Sequence, residues 1–373
     1  MTLTDKDLPL LAMALCPGMT GTGLEKWHDA DLTPEEFLTA DKREICRVLG
    51  ITPAHQIAKC DRRGLREKAE REAEFVTRHS IKTYFATADD YPFRLTHLYN
   101  PPAVLFALGN GSIEMPKSIG SVGTRRPTPY GSRICHDLVA SWCDTLPDLT
   151  VVSGLAYGID AVSHTTALEH DSPTIAVVAH GLDRIYPAQH RQLACDIATH
   201  NGLIVSQYPS GTSPYRQRFL ERNRIIAALS DATVVMESAY RGGALSTASV
   251  AFEMDREVFA VPGRIGDETS EGCNMLIRRN KAHILTDADY LPDVMNWKLP
   301  GQKAMEVQQS LFPELDESQM PVYQILKDST EPLTADTIIA RSRMTAQAVM
   351  AILSDLEFDG AVVRYPGNRF SIS

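Results

Sequence analysis

The feature that most constrains the fold is a regular alternation that begins near residue 118. Apolar runs of four to six residues alternate there with longer segments of helical spacing. Such uninterrupted short runs are typical of parallel strands that are buried on both faces of a sheet. The pattern therefore predicts an α/β fold with a Rossmann-like, doubly wound parallel sheet. We predict strands at 118–122, 150–153, 174–179, 203–206, 232–237 and 257–261.

The region before this alternation has a different pattern. Residues 1–80 contain short helical segments and end in a long charged helix at 62–78. The glycine turn at 17–21 resembles the turn of a helix-hairpin-helix, in which backbone amides approach a DNA phosphate. We predict an N-terminal helical domain at 1–80, SAM-like or helix-hairpin-helix-like, and favour a docking or spacing role for it over DNA contact.

The region after the alternation divides into two parts. Residues 298–317 mix Pro, Gly and charge without periodicity, which predicts a linker between the Rossmann-like domain at 81–297 and a separate C-terminal domain. That domain, residues 318–373, combines three helical segments with a hairpin that turns at Pro-Gly-Asn, which predicts a winged helix. Its charges nearly balance, so partner contact or a structural role is favoured over reading of duplex DNA.

Charge and composition limit the functions that are possible. The chain has 37 Lys and Arg against 47 Asp and Glu, a formal net charge of -10. A nucleic-acid site must therefore be a local concentration of cations, because phosphate affinity depends on where the charges lie. The seven cysteines include no C-x-x-C pair, and no apolar run reaches the length of a membrane span. We expect reduced cysteines, no metal, no membrane partner and a cytoplasmic location.

The end of the first strand is a candidate phosphate site. A glycine turn precedes a helix there, and it contains Gly123, Thr124, Arg125 and Arg126. Unpaired amides and the helix dipole favour an anion at such a turn, and arginines add bidentate contacts. The dinucleotide fingerprint G-x-G-x-x-G and the P-loop are both missing from the sequence. The binding of NAD or ATP is therefore disfavoured, and no cofactor is predicted.

Two further strand ends should lie at the same edge of the sheet. Both carry glycines and hydroxyls suited to close approach of a phosphate. The candidates are Ser153, Gly154 and Gly158 after the second strand and Gly242, Gly243, Ser246 and Thr247 after the fifth. Asp160 is interpreted as a helix cap or as a hydrogen-bond partner that fixes a neighbouring arginine, with an acid–base role as the alternative.

The strongest local signal lies at 215–224, between the fourth and fifth strands. Four arginines stand there with one glutamate, and aromatic residues lie among them. Cations beside a ring on which a base can stack hold single strands without reading base edges. The candidate residues are Arg216, Arg218, Phe219, Arg222, Asn223 and Arg224. Alternatively, Phe219 packs in the core and some arginines pair with Glu221 and Glu237.

Several short motifs, in their order and spacing, resemble the DprA (Smf) family of bacterial DNA-processing proteins. They are Asp90-Tyr91-Pro92 with Pro101-Pro102, Gly120-Ser121-Val122-Gly123-Thr124-Arg125, Ser153-Gly154-Leu155-Ala156-Tyr157-Gly158-Ile159-Asp160, Arg222-Asn223-Arg224-Ile225-Ile226 and Val261-Pro262-Gly263. The resemblance covers about residues 82–290. It implies an extended Rossmann domain that binds single-stranded DNA, forms a homodimer and hands DNA to the recombinase RecA during natural transformation. We expect no catalytic residues.

Two positions depart from the family pattern. Phe219-Leu220-Glu221 stands where the family usually has Phe-Pro, and Gly242-Gly243 replaces its usual Ser-Gly. Neither change removes an arginine or an essential glycine, so we expect DNA binding to be retained.

An enzyme is the second hypothesis. Lysine-decarboxylase-like nucleoside phosphohydrolases look similar in fold, and Glu237 or Asp160 would assist hydrolysis in such a protein. That class carries P-G-G-x-G-T-x-x-E, whereas residues 239–247 reproduce only the Gly-Gly and a Thr. A protein that binds DNA without covalent chemistry is therefore the favoured interpretation.

Overall fold

The computed structural model describes residues 3–297, 318–329, 332–342, 344–358, 361–365 and 369–372. These residues form two compact units, 3–297 and 318–372. The helices of the first unit are α1 (Leu8–Ala14), α2 (Gly21–His28), α3 (Pro34–Thr39), α4 (Lys42–Leu49), α5 (Gln56–Lys59), α6 (Arg63–Arg78), α7 (Phe93–Thr96), α8 (Pro129–Thr145), α9 (Ile159–Glu169), α10 (Arg191–Thr199), α11 (Arg216–Leu229), α12 (Ala244–Glu253), α13 (Glu271–Arg278) and α14 (Tyr290–Val294). Short 3-10 turns lie at Asp5–Asp7 and Ala188–His190.

The strands of this unit form one nine-stranded sheet. They are β1 (Lys82–Phe85), β2 (Val104–Leu108), β3 (Lys117–Val122), β4 (Leu149–Ser153), β5 (Thr174–Val177), β6 (Leu203–Ser206), β7 (Ala232–Val235), β8 (Glu257–Ala260) and β9 (His283–Ile284). Their order is β1-β2-β6-β5-β4-β3-β7-β8-β9. The strands from β6 to β9 in that order pair in parallel, whereas β1 with β2 and β2 with β6 pair antiparallel. The predicted α/β fold with a doubly wound sheet is confirmed.

All six predicted strands are present, with ends that differ by two residues at most. Strands β1, β2 and β9 were not predicted. Strand β9 has only two residues, and β1 and β2 precede the regular alternation. Because β2 pairs with β6, almost a hundred residues further along the chain, its place in the sheet depends on a long-range contact that local pattern does not show.

The sheet has its topological switch point at β3. Strands β4, β5 and β6 extend the sheet on one side of β3, and β7, β8 and β9 extend it on the other. The carboxyl ends of β3 and β7 therefore border a crevice between connections that leave in opposite directions. Ligands of open α/β sheets bind in this crevice.

Helices α1 to α6 share a hydrophobic cluster with one part of the sheet. The cluster includes Leu11, Trp27 and Phe37 from the helices together with Phe85 of β1 and Phe106 of β2. The rings of Trp27 and Phe37 meet edge to face, with centroids 5.3 Å apart. Burial of these large side chains against β1 and β2 attaches the N-terminal helices to the sheet. The boundary at residue 80 stays a prediction.

The glycine turn of the N-terminal region is used within the protein. The Gly21 amide donates to the carbonyl oxygen of Pro101 at 2.7 Å. A side chain at Gly21 would come within 2.7 Å of the Pro101 ring. Because its amide is already bonded and Pro101 covers it, Gly21 cannot offer a hydrogen bond to a DNA phosphate. For the rest of the turn, DNA contact stays an untested and disfavoured interpretation.

The second unit is a winged helix, as predicted. Its elements are α15 (Met320–Lys327), β10 (Leu333–Thr334), α16 (Ala335–Ser342), α17 (Ala346–Phe358), β11 (Val362–Tyr365) and β12 (Arg369–Ile372). The strands pair antiparallel in the order β10-β12-β11, and β10 was not predicted. Val322, Ile338, Leu353 and Phe370 form part of its core. The predicted linker and the Pro-Gly-Asn turn lie outside the described residues. No helix within the described ranges is long and apolar enough to cross a membrane.

Candidate functional site

A cleft of about 850 Å³ lies at the carboxyl edge of the sheet, beside the switch point. Segments that are far apart in sequence line it: the turns after β3, β4 and β7, the loop after β5, and the first turns of α11. The predicted residues in its lining are Gly123, Thr124, Arg125, Arg216, Phe219, Arg222, Asn223, Gly242, Gly243, Ser246 and Thr247. The structure therefore brings most of the predicted site residues to one surface.

The turn after β3 packs closely against the start of α9. The Thr124 amide donates to the Glu237 carbonyl at 2.8 Å, and the Ile159 amide donates to the Thr124 carbonyl at 3.2 Å. A side chain at Gly123 would lie 2.5 Å from Ile159. Gly158 has φ +77°, and a side chain there would overlap the Thr124 carbonyl. The two glycines thus fix the turn that presents the exposed Arg125 to the cleft.

Arg222 is a buried cation in the wall of the cleft. Its side chain is only 4% exposed, and its Nη1 lies 3.9 Å from Oδ2 of Asp160. Burial lowers the pKa of Arg222, and the charge of Asp160 opposes that effect. Its Nε has no hydrogen-bond partner among the described residues. A buried donor without a partner is costly, so a ligand oxygen that enters here would be favoured.

Gly154 provides the space for this arginine. A side chain at Gly154 would overlap Nη1 and Cζ of Arg222 and lie 2.7 Å from Nη2. Gly154 itself is buried and does not line the cleft. Its function in the structure is therefore to admit the guanidinium of Arg222.

The two carboxylates that a hydrolase would use are both engaged. Asp160 is 6% exposed, pairs with Arg222 and accepts a hydrogen bond from the Ala156 amide at 3.3 Å. Burial raises its pKa, while Arg222 acts in the opposite direction. Glu237 accepts a hydrogen bond from the Thr128 amide at 2.9 Å, just before α8, and lies outside the cleft lining. Asp160 thus faces an arginine as predicted, but as an ion pair at 3.9 Å and not through the predicted hydrogen bond.

Two guanidinium groups contact the Phe219 ring. Its ring centroid is 4.9 Å from Cζ of Arg125 and 5.7 Å from Cζ of Arg222. The Tyr186 ring is 6.0 Å away. Phe219 is partly exposed and belongs to none of the core clusters in the described parts of the chain. The alternative that it packs in the core is wrong.

The alternative in which arginines of α11 pair with Glu221 and Glu237 is also not found. Glu221 accepts a hydrogen bond from the Tyr208 hydroxyl at 2.6 Å, and Glu237 holds the turn before α8. Over the residues that the structure describes, neither glutamate forms an ion pair with an arginine of α11. The positive charge of Arg125 and Arg216 therefore stays available at the cleft.

The glycine turn after β7, which is predicted to approach a phosphate, joins α11 to α12. Asn223 Nδ2 donates to the Ser246 hydroxyl at 2.9 Å, and that hydroxyl donates to the Gly243 carbonyl at 2.7 Å. A side chain at Gly242 would overlap the Ser238 hydroxyl, whereas one at Gly243 would meet no atom within 4 Å. Thr247 is 1% exposed at the base of the cleft.

Several predicted site residues lie away from the cleft lining. The Ser153 hydroxyl is fully buried and donates to the Ser121 carbonyl at 2.6 Å. Arg218 donates to the Ser213 carbonyl and lies over the Tyr208 ring. Arg224 donates to the Asn100 carbonyl at 3.0 Å. Arg126 is exposed outside the lining.

Some residues of the lining were not predicted as site residues. Tyr215 is 67% exposed and Tyr186 is 43% exposed, and Leu220 and Arg241 also line the cleft. Tyr215 and Arg241 stand in the motifs already identified. Tyr186 comes from the loop after β5, and no local motif marks it. In the described residues, no group of His, Cys, Asp or Glu side chains could hold a metal ion.

The fold and the cleft define a class: a Rossmann-like protein whose switch-point cleft combines cations, glycine turns and aromatic rings. The family described as DNA recombination-mediator protein A matches residues 82–296, and the DprA winged helix domain matches residues 309–368. The chain belongs to the DprA (Smf) family of DNA-processing proteins, as its motifs indicated.

Individual relatives agree with this assignment. Protein Smf of Synechocystis is 37% identical over 335 residues, which cover 80% of this chain and 82% of that protein. The X-ray structure of DNA processing protein A from Streptococcus pneumoniae aligns with a TM-score of 0.63 and 29% identity, covering 80% of this chain and 99% of that one. DNA processing protein A from Helicobacter pylori, which binds single-stranded DNA, aligns with a TM-score of 0.52 and 28% identity over 58% of this chain and 95% of that one.

Proposed function

We propose that this protein binds single-stranded DNA in the switch-point cleft and performs no covalent chemistry on it. The observation that carries the proposal is the position of Phe219 beside Arg125 and Arg222, with the Cζ atom of each guanidinium within 6 Å of its ring centroid. Cations that contact phosphates beside a ring that can stack on a base are the features of sites that hold single strands. Tyr215 and Tyr186 add exposed rings at the same surface.

Binding is favoured over hydrolysis by the state of the carboxylates. A general base needs a carboxylate within reach of a water or hydroxyl at the substrate. Asp160 faces Arg222 across 3.9 Å, and Glu237 accepts the amide of Thr128. Both groups hold the phosphate-binding turns in place, which supports a binding protein.

Family membership supports a larger role. We propose that the bound strand is protected and handed to the recombinase RecA during natural transformation, and that the protein acts as a homodimer. The match to the recombination-mediator family and the single-stranded DNA binding of the Helicobacter pylori relative support this role. We expect binding to be independent of sequence, because phosphate contacts and stacking on aromatic rings do not read base edges.

Fluorescence anisotropy of a labelled oligothymidylate across a NaCl series tests the proposal. Arg125→Ala should weaken binding about tenfold, or about 1.4 kcal/mol. Its salt slope should be shallower by about 0.7, because one phosphate contact to a single strand is lost. The control is Arg71→Ala, which removes an exposed arginine of α6 outside the cleft and should change neither value.

Two results would contradict the proposal. One is a folded Arg125→Ala protein whose affinity and salt slope equal those of the wild type. The other is release of base or phosphate from nucleotides by the purified protein, which would favour the hydrolase.

A further inference from the structure

A buried carboxylate of the N-terminal helices contacts a loop that leads to the cleft. Glu72 of α6 is only 4% exposed. Its Oε1 and Oε2 accept the Ser210 amide at 3.0 and 2.9 Å, and Oε2 also accepts the Ser210 hydroxyl. Ser210 lies in the loop 207–215, between β6 and α11. One side chain outside the Rossmann core thus binds this loop through three hydrogen bonds.

The loop 207–215 is also joined to the loop 178–187, which follows β5. The Gly181 amide donates to the Thr212 carbonyl at 3.0 Å. The Gly211 amide donates to Oδ1 of Asp183 at 2.9 Å. Two residues that form these bonds, Gly211 and Thr212, directly follow Ser210 in the chain. The bonds join the two loops into one layer of backbone, here called the loop layer.

The loop layer forms one wall of the cleft. Tyr186 belongs to the first loop and Tyr215 to the second, and Arg216 begins α11 directly after it. Arg218, in the first turn of α11, donates to the Ser213 carbonyl and lies 5.5 Å from the Tyr208 ring. The position of the loops therefore sets the position of the first turn of α11, from which Arg216 and Phe219 extend.

The chemistry at Glu72 favours an anchoring role. Burial raises the pKa of Glu72, and the hydrogen bonds from Ser210 act against that rise. A buried carboxylate is costly unless donors satisfy it, and charge-assisted hydrogen bonds are stronger and more directional than apolar contacts. An apolar side chain at this position would fill the space without fixing the amide of Ser210.

We propose that Glu72 is a positioning residue of the cleft: it fixes the two loops, and through them Tyr186, Tyr215 and Arg216, without touching DNA. The N-terminal helices would then brace the binding site. This inference rests on the proposed function, because it assigns Glu72 to the same site.

Three variants and one control test this role. Glu72→Ala removes both acceptor oxygens, Glu72→Gln keeps one of them, and Ser210→Ala removes only the hydroxyl donor. The control is Glu67→Ala, at an exposed position of the same helix. Each protein is measured by anisotropy with labelled oligothymidylate across a salt series, by hydrogen–deuterium exchange and by thermal melting.

We expect Glu72→Ala to exchange faster in peptides from 178–187 and 207–219, with the strands of the sheet still protected. Its affinity should fall about tenfold, and its salt slope should become shallower by at most about 0.7, because the loops position one cation of the cleft, Arg216. Glu72→Gln and Ser210→Ala should show smaller changes in the same direction. Glu67→Ala should match the wild type.

Unchanged loop exchange in Glu72→Ala would overturn the inference, as would faster loop exchange with unchanged affinity. A general loss of protection in β3, β4 and β5 equal to that in the loops would show a purely structural role and overturn it too. If Glu72→Ala does not fold, Glu72→Gln and Ser210→Ala decide by the same criteria. Failure of the wild type to bind the oligonucleotide would refute the proposed function instead, so the two failures are distinguishable.

Discussion

Replacement of Gly154 by alanine should weaken the binding of single-stranded DNA in the cleft, although Gly154 does not line it. The new methyl group would overlap Nη1 and Cζ of Arg222. Arg222 is 4% exposed and packed in the wall, so its guanidinium has to leave its site rather than adjust slightly. Its departure separates it from Asp160, 3.9 Å away, and from the Phe219 ring.

The size of the effect depends on the broken ion pair. Removing one partner of a buried pair costs about 3–5 kcal/mol. The 3.9 Å separation and the raised pKa of Asp160, which lets that group take up a proton, place the loss at the lower end. We expect about 3 kcal/mol of unfolding free energy, or a fall in Tm of about 5 °C for a unit of this size. Single-strand affinity should fall about tenfold, or about 1.4 kcal/mol, with the lost cation.

A double-mutant cycle separates this mechanism from a general defect. In an Arg222→Ala background the overlapping atoms are gone, so adding Gly154→Ala should change the unfolding free energy by less than about 0.5 kcal/mol. Urea unfolding and anisotropy on the same samples measure both quantities. The control is Gly64→Ala in α6, where a side chain would meet no atom within 4 Å. Additive costs in the double mutant, or wild-type affinity in Gly154→Ala, would refute the reasoning.

Substitutions at two other positions have defined outcomes. Phe219→Ala should cost about 1–3 kcal/mol of single-strand binding free energy, while Phe219→Trp should keep most of the affinity. A fall of about 3–5 kcal/mol in the unfolding free energy of the alanine variant would instead indicate a core residue. Burial lowers the pKa of His164 to about 3. As the pH falls, the unfolded chain therefore protonates at this histidine before the folded chain does. The stability that this histidine contributes is complete above a pH of about 6.5 and should be lost progressively towards pH 3, by up to about 1.4 kcal/mol per pH unit. In urea unfolding across that pH range, the unfolding free energy of His164→Gln should fall less steeply than that of the wild type. Parallel curves of unfolding free energy against pH would contradict the lowered pKa of His164.

The sequence by itself determined the class of fold and the edge of the sheet that carries the site. Buried parallel strands need continuous apolar runs, and the helices between them need their own periodicity, so both features are local and visible in the chain. Since parallel strands end at a common edge, the turns at Gly123 and Gly242 could be placed together before the sheet order was known. The arginine cluster at 215–224 was also visible in the sequence, because its members are close together along the chain.

Only the tertiary structure decided which of these side chains share the cleft. On α11, Arg216, Phe219 and Arg222 face the cleft, whereas Arg218 and Arg224 bond to Ser213 and Asn100. Local sequence predicts that this segment is helical but not its rotation about its axis, which depends on what packs against it. The carbonyl partners of Arg218 and Arg224 are backbone atoms, which carry no side-chain signature.

The same dependence on tertiary contacts explains why local motifs did not mark some residues and misassigned another. Tyr186 reaches the cleft from a loop that is distant in sequence, and Glu72 reaches Ser210 from the N-terminal helices. Gly154 was predicted to approach a phosphate and instead makes room for Arg222. A pattern of residue types reports local backbone geometry and burial. The contacts that form this site join segments up to 138 residues apart, and only the folded chain brings them within bonding distance.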